Sequence, residues 1–303
     1  MNGTFGAIEA GGTKFVVAVA SAGGPILERA RIETGQPGPT FEQVLGFFRE
    51  AGRRHGPLLG LGVASFGPLE TDPRSADYGR LLATPKQGWE GVSYREALAP
   101  LGVPLVIDTD VNGAALGEWS EGAGQGCETL AYTTVGTGIG TGIIHAGRPL
   151  AGIRHYEAGH IRVPHDPATD PFAGLCPFHG DCLEGLASGP AIKARYGTSL
   201  DRMADPDPAI ETISRYLADL AVALVLLHAP DRLIFGGGVM KTTGLIEVLR
   251  KRTEERLGGY INHRKLAPGL QSYICLPGLC DDAGITGALA LVRRGVAPSR
   301  GPS

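Results

Sequence analysis

The chain has 303 residues, room for two domains with cores of their own, and a content of 43% hydrophobic and 19% charged residues excludes a disordered chain. A net charge of −3 without a long run of one sign excludes nucleic acid or an anionic membrane surface as an electrostatic partner, and the most apolar stretch, Leu220 to Leu227, is too short to span a bilayer. The opening MNGTFGAIEAGGTK lacks a signal-peptide pattern, so a cytoplasmic location is expected, and the five cysteines fit metal binding in a reducing compartment rather than a disulfide framework.

From the N-terminus, Phe5 to Ala20 predicts two strands joined by the turn Ala10-Gly11-Gly12-Thr13. Apolar positions Phe41, Val44, Leu45, Phe47 and Phe48 predict a helix over Thr40 to Arg54. Leu59 to Ser65 and Pro104 to Asp108 read as buried strands, and Asp110 to Glu121 as a helix. The pattern then restarts: a strand over Leu130 to Val135, a turn at Gly136-Thr137-Gly138-Ile139-Gly140 and a returning strand over Thr141 to His145. Such a strand–glycine turn–strand unit, met twice, predicts an internal duplication. Gly147 to Gly189 has little periodicity and is rich in His, Pro, Asp and Cys. So long an irregular segment is usually functional. Beyond it come a buried helix over Ala209 to His228, a strand Leu233-Ile234-Phe235 ending in Gly236-Gly237-Gly238, and an amphipathic helix over Leu245 to Leu257 with a basic outer face. A strand over Tyr273 to Leu276, a last helix over Ala283 to Arg294 and a disordered tail, Ala297 to Ser303, complete the chain. Alternating strands and helices predict an α/β architecture in two lobes, with ligands in the cleft between them. The boundaries place an N-terminal lobe at 1–112, joined by a C-terminal helix at 283–303, and a second lobe at 113–282.

Gly11-Gly12-Thr13-Lys14 and Gly136-Thr137-Gly138 suit phosphate, because glycine lets backbone amides converge while Thr adds a hydroxyl and Lys14 a positive charge. The bland alternative is a hairpin turn that simply needs glycine. Neither a Walker loop nor a strand–GxGxxG–helix fingerprint is present. Gly236, Gly237 and Gly238 read equally as a close-approach site for a base or ribose and as a tight strand-to-helix turn. His160, Cys176, His179 and Cys182 form an H-x15-C-x2-H-x2-C set whose two thiolates and two imidazoles favour a closed, structural zinc site, with His165 competing for the fourth position. Asp110, between an apolar strand and a helix, is a candidate general base, or else a plain helix N-cap. Cys275 and Cys280, and likewise Cys127, read as buried thiols. Trp89 is equally packing or contact, and Gly67, in Ala64-Ser65-Phe66-Gly67-Pro68, would let backbone approach a substrate.

The strings EAGGTK, DTDVNGAALGEW, EAGH, CPFHGDCLEG and GGGV, in this order from about Gly6 to Ala290, resemble bacterial ROK-family sugar kinases. EAGGTKF together with CPFHGDCLEG resembles the fructokinase branch, and no helix-turn-helix domain of the kind found in the family's repressors precedes the first turn. The resemblance implies a two-lobed actin-like ATPase (ribonuclease H-like) fold with an inter-lobe cleft and a zinc-stapled loop. It implies a kinase using ATP, Mg2+ and Zn2+, and a homodimer that closes its lobes on a small-molecule sugar. It places the base on Asp110, zinc on His160, Cys176, His179 and Cys182, and sugar hydroxyls on Glu157, His160 and Glu184. Glu9 stands where the family usually has aspartate, and would hold Mg2+ through water or anchor the turn. Thr109 stands where glucokinases have asparagine, which fits another sugar. The expected reaction is phosphorylation of D-fructose to fructose 6-phosphate. The alternatives are a kinase for mannose or glucose and a non-catalytic sugar sensor.

Overall fold

A computed structural model describes residues 3–84 and 86–296. Pro85 and the tail Ala297 to Ser303, where disorder is expected, lie outside the described residues. In chain order the elements are β1 (Thr4–Ala10), β2 (Lys14–Ser21), β3 (Ile26–Glu33), α1 (Pro37–His55), β4 (Leu58–Ser65), α2 (Tyr94–Leu98), β5 (Leu105–Thr109) and α3 (Asp110–Glu121). There follow β6 (Thr129–Val135), β7 (Ile139–His145), β8 (Arg148–Pro149), α4 (Leu183–Ala187), α5 (Gly189–Tyr196), α6 (Asp207–His228), β9 (Arg232–Gly236), α7 (Leu245–Leu257), β10 (Ile274–Cys275) and α8 (Ala283–Gly295). No helix among the described residues is long and apolar enough to cross a membrane.

The fold is α/β and divides into two units. The first takes the chain up to Glu121, Ala151–His155, and the chain from Asp281 onward; the second takes Gly122–Leu150 and Tyr156–Cys280. The division falls after Glu121 and not at residue 112, because all of α3 packs on α8. A Cβ on Gly287 of α8 would lie 1.7 Å from the carbonyl oxygen of Gly113, so these helices touch backbone to backbone.

The first unit's sheet has the order β3-β2-β1-β4-β5, and the second's β10-β9-β6-β7-β8. Read from the other edge, the second repeats the first. In each, three strands run antiparallel (β1-β2-β3; β6-β7-β8), and two more add in parallel to the first of them (β4-β5; β9-β10). The predicted duplication is thus present in the strand pairing itself.

One face of the first sheet is covered by an aromatic core. Phe15, Phe41, Trp89 and Tyr94 are fully or almost fully buried, with ring centroids 5.5–6.3 Å apart. Trp89, read as either packing or contact, is packing: its Nε1 donates to the Gly35 carbonyl at 2.9 Å. Burial of each such ring contributes roughly 1.5–3 kcal/mol. In the second unit α6 fills the core with Ile210, Ile213, Leu217, Leu220 and Leu224, at the three- and four-residue spacing of one helix face.

Candidate active site

In the first unit β1, β4 and β5 run parallel, with Ala10 opposite Ser65 and Ser65 opposite Thr109. The turn Gly11–Thr13, the segment Phe66–Gly67 and Asp110 therefore leave the sheet along one edge, at the carboxyl ends of its parallel strands. Open α/β sheets bind their ligands there. The turn is held from behind. Gly11 N–H donates to the Lys14 carbonyl at 3.0 Å, and Thr34 donates from its hydroxyl to the Gly11 carbonyl at 2.8 Å. At its tip, a Cβ on Gly12 would meet nothing within 4 Å.

The sequence left open whether Asp110 is a base or a helix cap. Thr109 is the cap: its buried hydroxyl accepts from Asn112 N–H at 3.2 Å, the third position of α3. Asp110 begins the helix one residue later, and its Oδ1 accepts from Val111 N–H at 2.8 Å. Asp108, which sequence reasoning passed over, accepts from Thr109 N–H and from Asn112 Nδ2, each at 2.7 Å, and ties the strand end to the first turn of α3. The Asp108-x3-Asn112 spacing was the available signal. Burial pushes the Asp108 carboxyl above the usual carboxylate range.

Glu9, near the end of β1, is pushed up from 4.5 to about 7. Burial is the main cause, followed by the charge of Asp110; Asp282 and Asp281 add to the shift while Lys14 opposes it. Its carboxyl carbon lies 2.5 Å from where a Cβ on Gly284 would stand, against the first turn of α8.

In the second unit β6 and β9 run parallel, Thr134 opposite Gly236, so Gly136–Gly138 and Gly237–Gly238 leave the sheet along one edge as well. The turn closes when Gly136 N–H donates to the Gly138 carbonyl at 2.9 Å. Gly237 takes φ +91°, and a Cβ there would lie 2.3 Å from the Val135 carbonyl oxygen, so it is a close-packed turn residue.

His160, Cys176, His179 and Cys182 come together with all ligand atoms within 4.8 Å of one another. Cys176 Sγ stands 3.7 Å from His160 Nδ1 and 3.6 Å from His179 Nδ1, and Cys182 Sγ is 3.5 Å from His160 Nδ1. For metal bonds of about 2.3 Å to sulfur and about 2.0–2.1 Å to nitrogen at tetrahedral angles, the sulfur–nitrogen edge is about 3.5 Å. The set therefore fits zinc in both chemistry and spacing. His165, the competing ligand, is engaged elsewhere: Nδ1 is 3.2 Å from Asp181 Oδ2 and Nε2 is 2.9 Å from the Asp170 carbonyl. Of the thiols read as buried, Cys127 is buried and Cys275 half-buried, but Cys280 is exposed, because it lies past the short β10 in the turn leading into α8.

With Nδ1 turned to the sulfurs, His160 keeps Nε2, which lies 3.9 Å from Glu184 Oε1. Glu184 Oε2 accepts from Ile139 N–H at 2.9 Å. Glu157, exposed, precedes the turn Ala158–His160, and its carbonyl accepts from His160 N–H at 3.0 Å. The tie from Glu184 to Ile139 joins residues 45 apart in sequence and gave no sequence signal.

The chain matches the model of the ROK family over residues 5–295. It is 41% identical over 295 residues to a protein of Zymomonas mobilis named fructokinase, and 39% identical over 290 residues to a Bacillus subtilis protein named putative fructokinase; each match covers 95% of both chains. Among solved structures, the ROK hexokinase from Thermus thermophilus superposes with a TM-score of 0.79 at 27% identity, covering 97% of this chain and 99% of that one.

Proposed function

The chain belongs to the ROK family, and on that premise we propose that it transfers the γ-phosphoryl group of ATP to D-fructose, giving fructose 6-phosphate and ADP. The observation that carries this reading is the full-length match, at 39–41% identity, to proteins named as fructokinases. The chemistry needs a base for the attacking hydroxyl, donors around the phosphates and polar groups that orient the sugar.

Asp110 accepts the proton of the attacking hydroxyl. Thr109 fixes the helix turn on which that carboxylate stands, and Gly67 offers backbone beside it. The amides of Gly11–Thr13 and Gly136–Gly138, with Lys14, hold the phosphates and offset charge that grows in the transition state. Gly236, Gly237 and Gly238 bring backbone against the nucleoside. Glu157, His160 and Glu184 orient the sugar hydroxyls.

Glu9 would hold Mg2+ beside the first turn. Its carboxyl is crowded by Asp110, Asp281 and Asp282, and a dication is the group that relieves such crowding. Bound there, the ion supplies positive charge at the phosphates. His160, Cys176, His179 and Cys182 would hold a structural Zn2+, which fixes the His160 ring and leaves Nε2 for the sugar. Five free thiols and the use of ATP support a cytoplasmic location, and the family resemblance supports a homodimer.

An ADP-release assay across fructose, mannose and glucose tests the reading. Fructose should give the highest kcat/KM; a higher value for either other hexose, or no ADP release with any, would overturn it. Sedimentation velocity tests the dimer.

A further inference from the structure

The residues that flank the second turn belong to the group facing the sugar. Ile139, the first residue of β7, is gripped from two sides. Its N–H donates to Glu184 Oε2 at 2.9 Å. Its carbonyl oxygen lies 1.9 Å from where a Cβ on Gly159 would stand, so only glycine lets the turn that carries His160 lie flat against the start of β7. Gly138, one residue earlier, sits so close under the same carboxylate that its own Cβ would be 2.7 Å from Oε2. The other oxygen of Glu184 faces His160 Nε2 at 3.9 Å, while His160 Nδ1 faces both sulfurs of the metal-ligating set.

One carboxylate thus reaches two ways: Oε2 holds the backbone that closes the Gly136–Gly138 turn, and Oε1 faces the sugar-orienting imidazole. We infer that Glu184 is a positioning residue for the second phosphate turn, and that through it zinc and sugar occupancy set the affinity for nucleotide. This rests on the reading of Gly136–Gly138 as a phosphate turn. A carboxylate 2.9 Å from the amide after that turn also places negative charge beside the phosphates. A sugar hydroxyl donating to Oε1, or zinc holding His160 Nδ1 and so fixing Nε2–H toward Oε1, draws that charge away. Binding at one site then strengthens binding at the other, by the same factor in both directions.

The test is binding of a non-hydrolysable ATP analogue, by calorimetry, to the zinc-loaded protein without sugar, and separately of fructose. Glu184→Ala loses the bond to Ile139 and should weaken the analogue about tenfold or more, the range for a hydrogen bond to a charged group. Glu184→Gln keeps a carbonyl oxygen for Ile139 N–H and removes the charge beside the phosphates, so it should bind the analogue at least as tightly as the parent while binding fructose at least about tenfold more weakly. That split separates positioning from a general loss of structure, and zinc content and melting temperature are measured on each variant. Removing zinc from the parent should weaken the analogue, and should add little to Glu184→Ala. The inference fails if Glu184→Ala binds the analogue as the parent does, or if Glu184→Gln loses analogue and fructose affinity alike. Absence of any analogue binding by the parent is a separate outcome, which removes the phosphate-turn reading itself.

Discussion

The two glycine turns occupy equivalent places in two sheets of the same topology, yet they differ in what stands behind them. The first spans Gly11 to Lys14 between the paired residues Ala10 and Phe15; the second is one residue shorter, Gly136 to Gly138 between Val135 and Ile139. Behind the first are Glu9, Asp110, Asp281 and Asp282, a crowd of carboxyls eased by Lys14 beside Glu9 and by Arg29, paired with Asp282 at 3.0 Å. Behind the second is Glu184, whose carboxylate reaches Ile139 N–H and faces His160 of the His/Cys set. One strand plan thus carries a turn backed by carboxyls and a turn whose following amide is held by Glu184. Under the proposed reading, the metal and the base that phosphoryl transfer needs would stand at the first turn.

The comparison breaks most sharply at Asp110, the proposed base. Replacing Asp110 by Asn should lower kcat by roughly 100- to 10,000-fold, the usual contribution of a general base. Fructose binding by calorimetry should stay close to the parent value. Turnover near normal in Asp110→Asn would remove it from the mechanism and leave the two turns chemically alike.

The second turn should fail in a different way. If the His160–Cys182 set holds zinc as proposed, changing the buried Cys182 to Ser removes one of four ligands and frees the segment between His160 and Cys182, so stability should fall by several kcal/mol, on the order seen when structural zinc is lost. Elemental analysis should find about one zinc per chain in the parent and little in this variant. A zinc-free parent with unchanged melting temperature would contradict the structural role.

Glu9 gives a pH signature specific to the first turn. Between 4.5 and about 7 the folded protein keeps a proton on Glu9 that the unfolded chain has released. Stability therefore falls as pH rises through that window, and the penalty is complete above about 7. Glu9→Gln cannot titrate: it should match the parent below 4.5 and exceed it at pH 8 by roughly 3 kcal/mol. Mg2+ should narrow the gap at pH 8 by stabilising the ionised parent. Melting curves across pH, with and without the ion, measure both effects, and a pH-independent difference between the proteins would contradict the assignment to Glu9.

Both turns, with their flanking strands, could be read from sequence because glycine and alternating apolar residues are local signals. The metal-ligating group was readable for a related reason: three of its four members lie within seven residues, and few other arrangements use Cys and His so densely. The strand β3 was not anticipated. Its sequence, ILERARIE, puts Arg and Glu on an exposed edge, so the apolar alternation that marks a half-buried strand is weak. Helix α5 was passed over because its apolar residues make no stripe. The extent of the first unit depends on α3 meeting α8 across about 170 residues of chain, a contact no local pattern carries. Glu184 was read as a sugar ligand alone, since its partner Ile139 offers only a backbone amide, which side-chain patterns do not register.

The smallest expected changes are the most informative about what the two turns share. A Cβ on Gly12 or on Gly136 would meet nothing within 4 Å, and neither residue has the positive φ that strains an alanine. Gly12→Ala and Gly136→Ala should therefore leave stability unchanged or raise it by about 0.4–1 kcal/mol, through the stiffer unfolded chain. If phosphate lies against these amides, the added methyl occupies the space it needs, and the KM for ATP should rise several-fold in both variants while the KM for fructose stays put. A rise in only one would assign the phosphates to that turn and make the other a hairpin that keeps its glycine for the chain's sake. Because the fold is undisturbed in both cases, any loss of nucleotide affinity belongs to the ligand and not to the protein's stability.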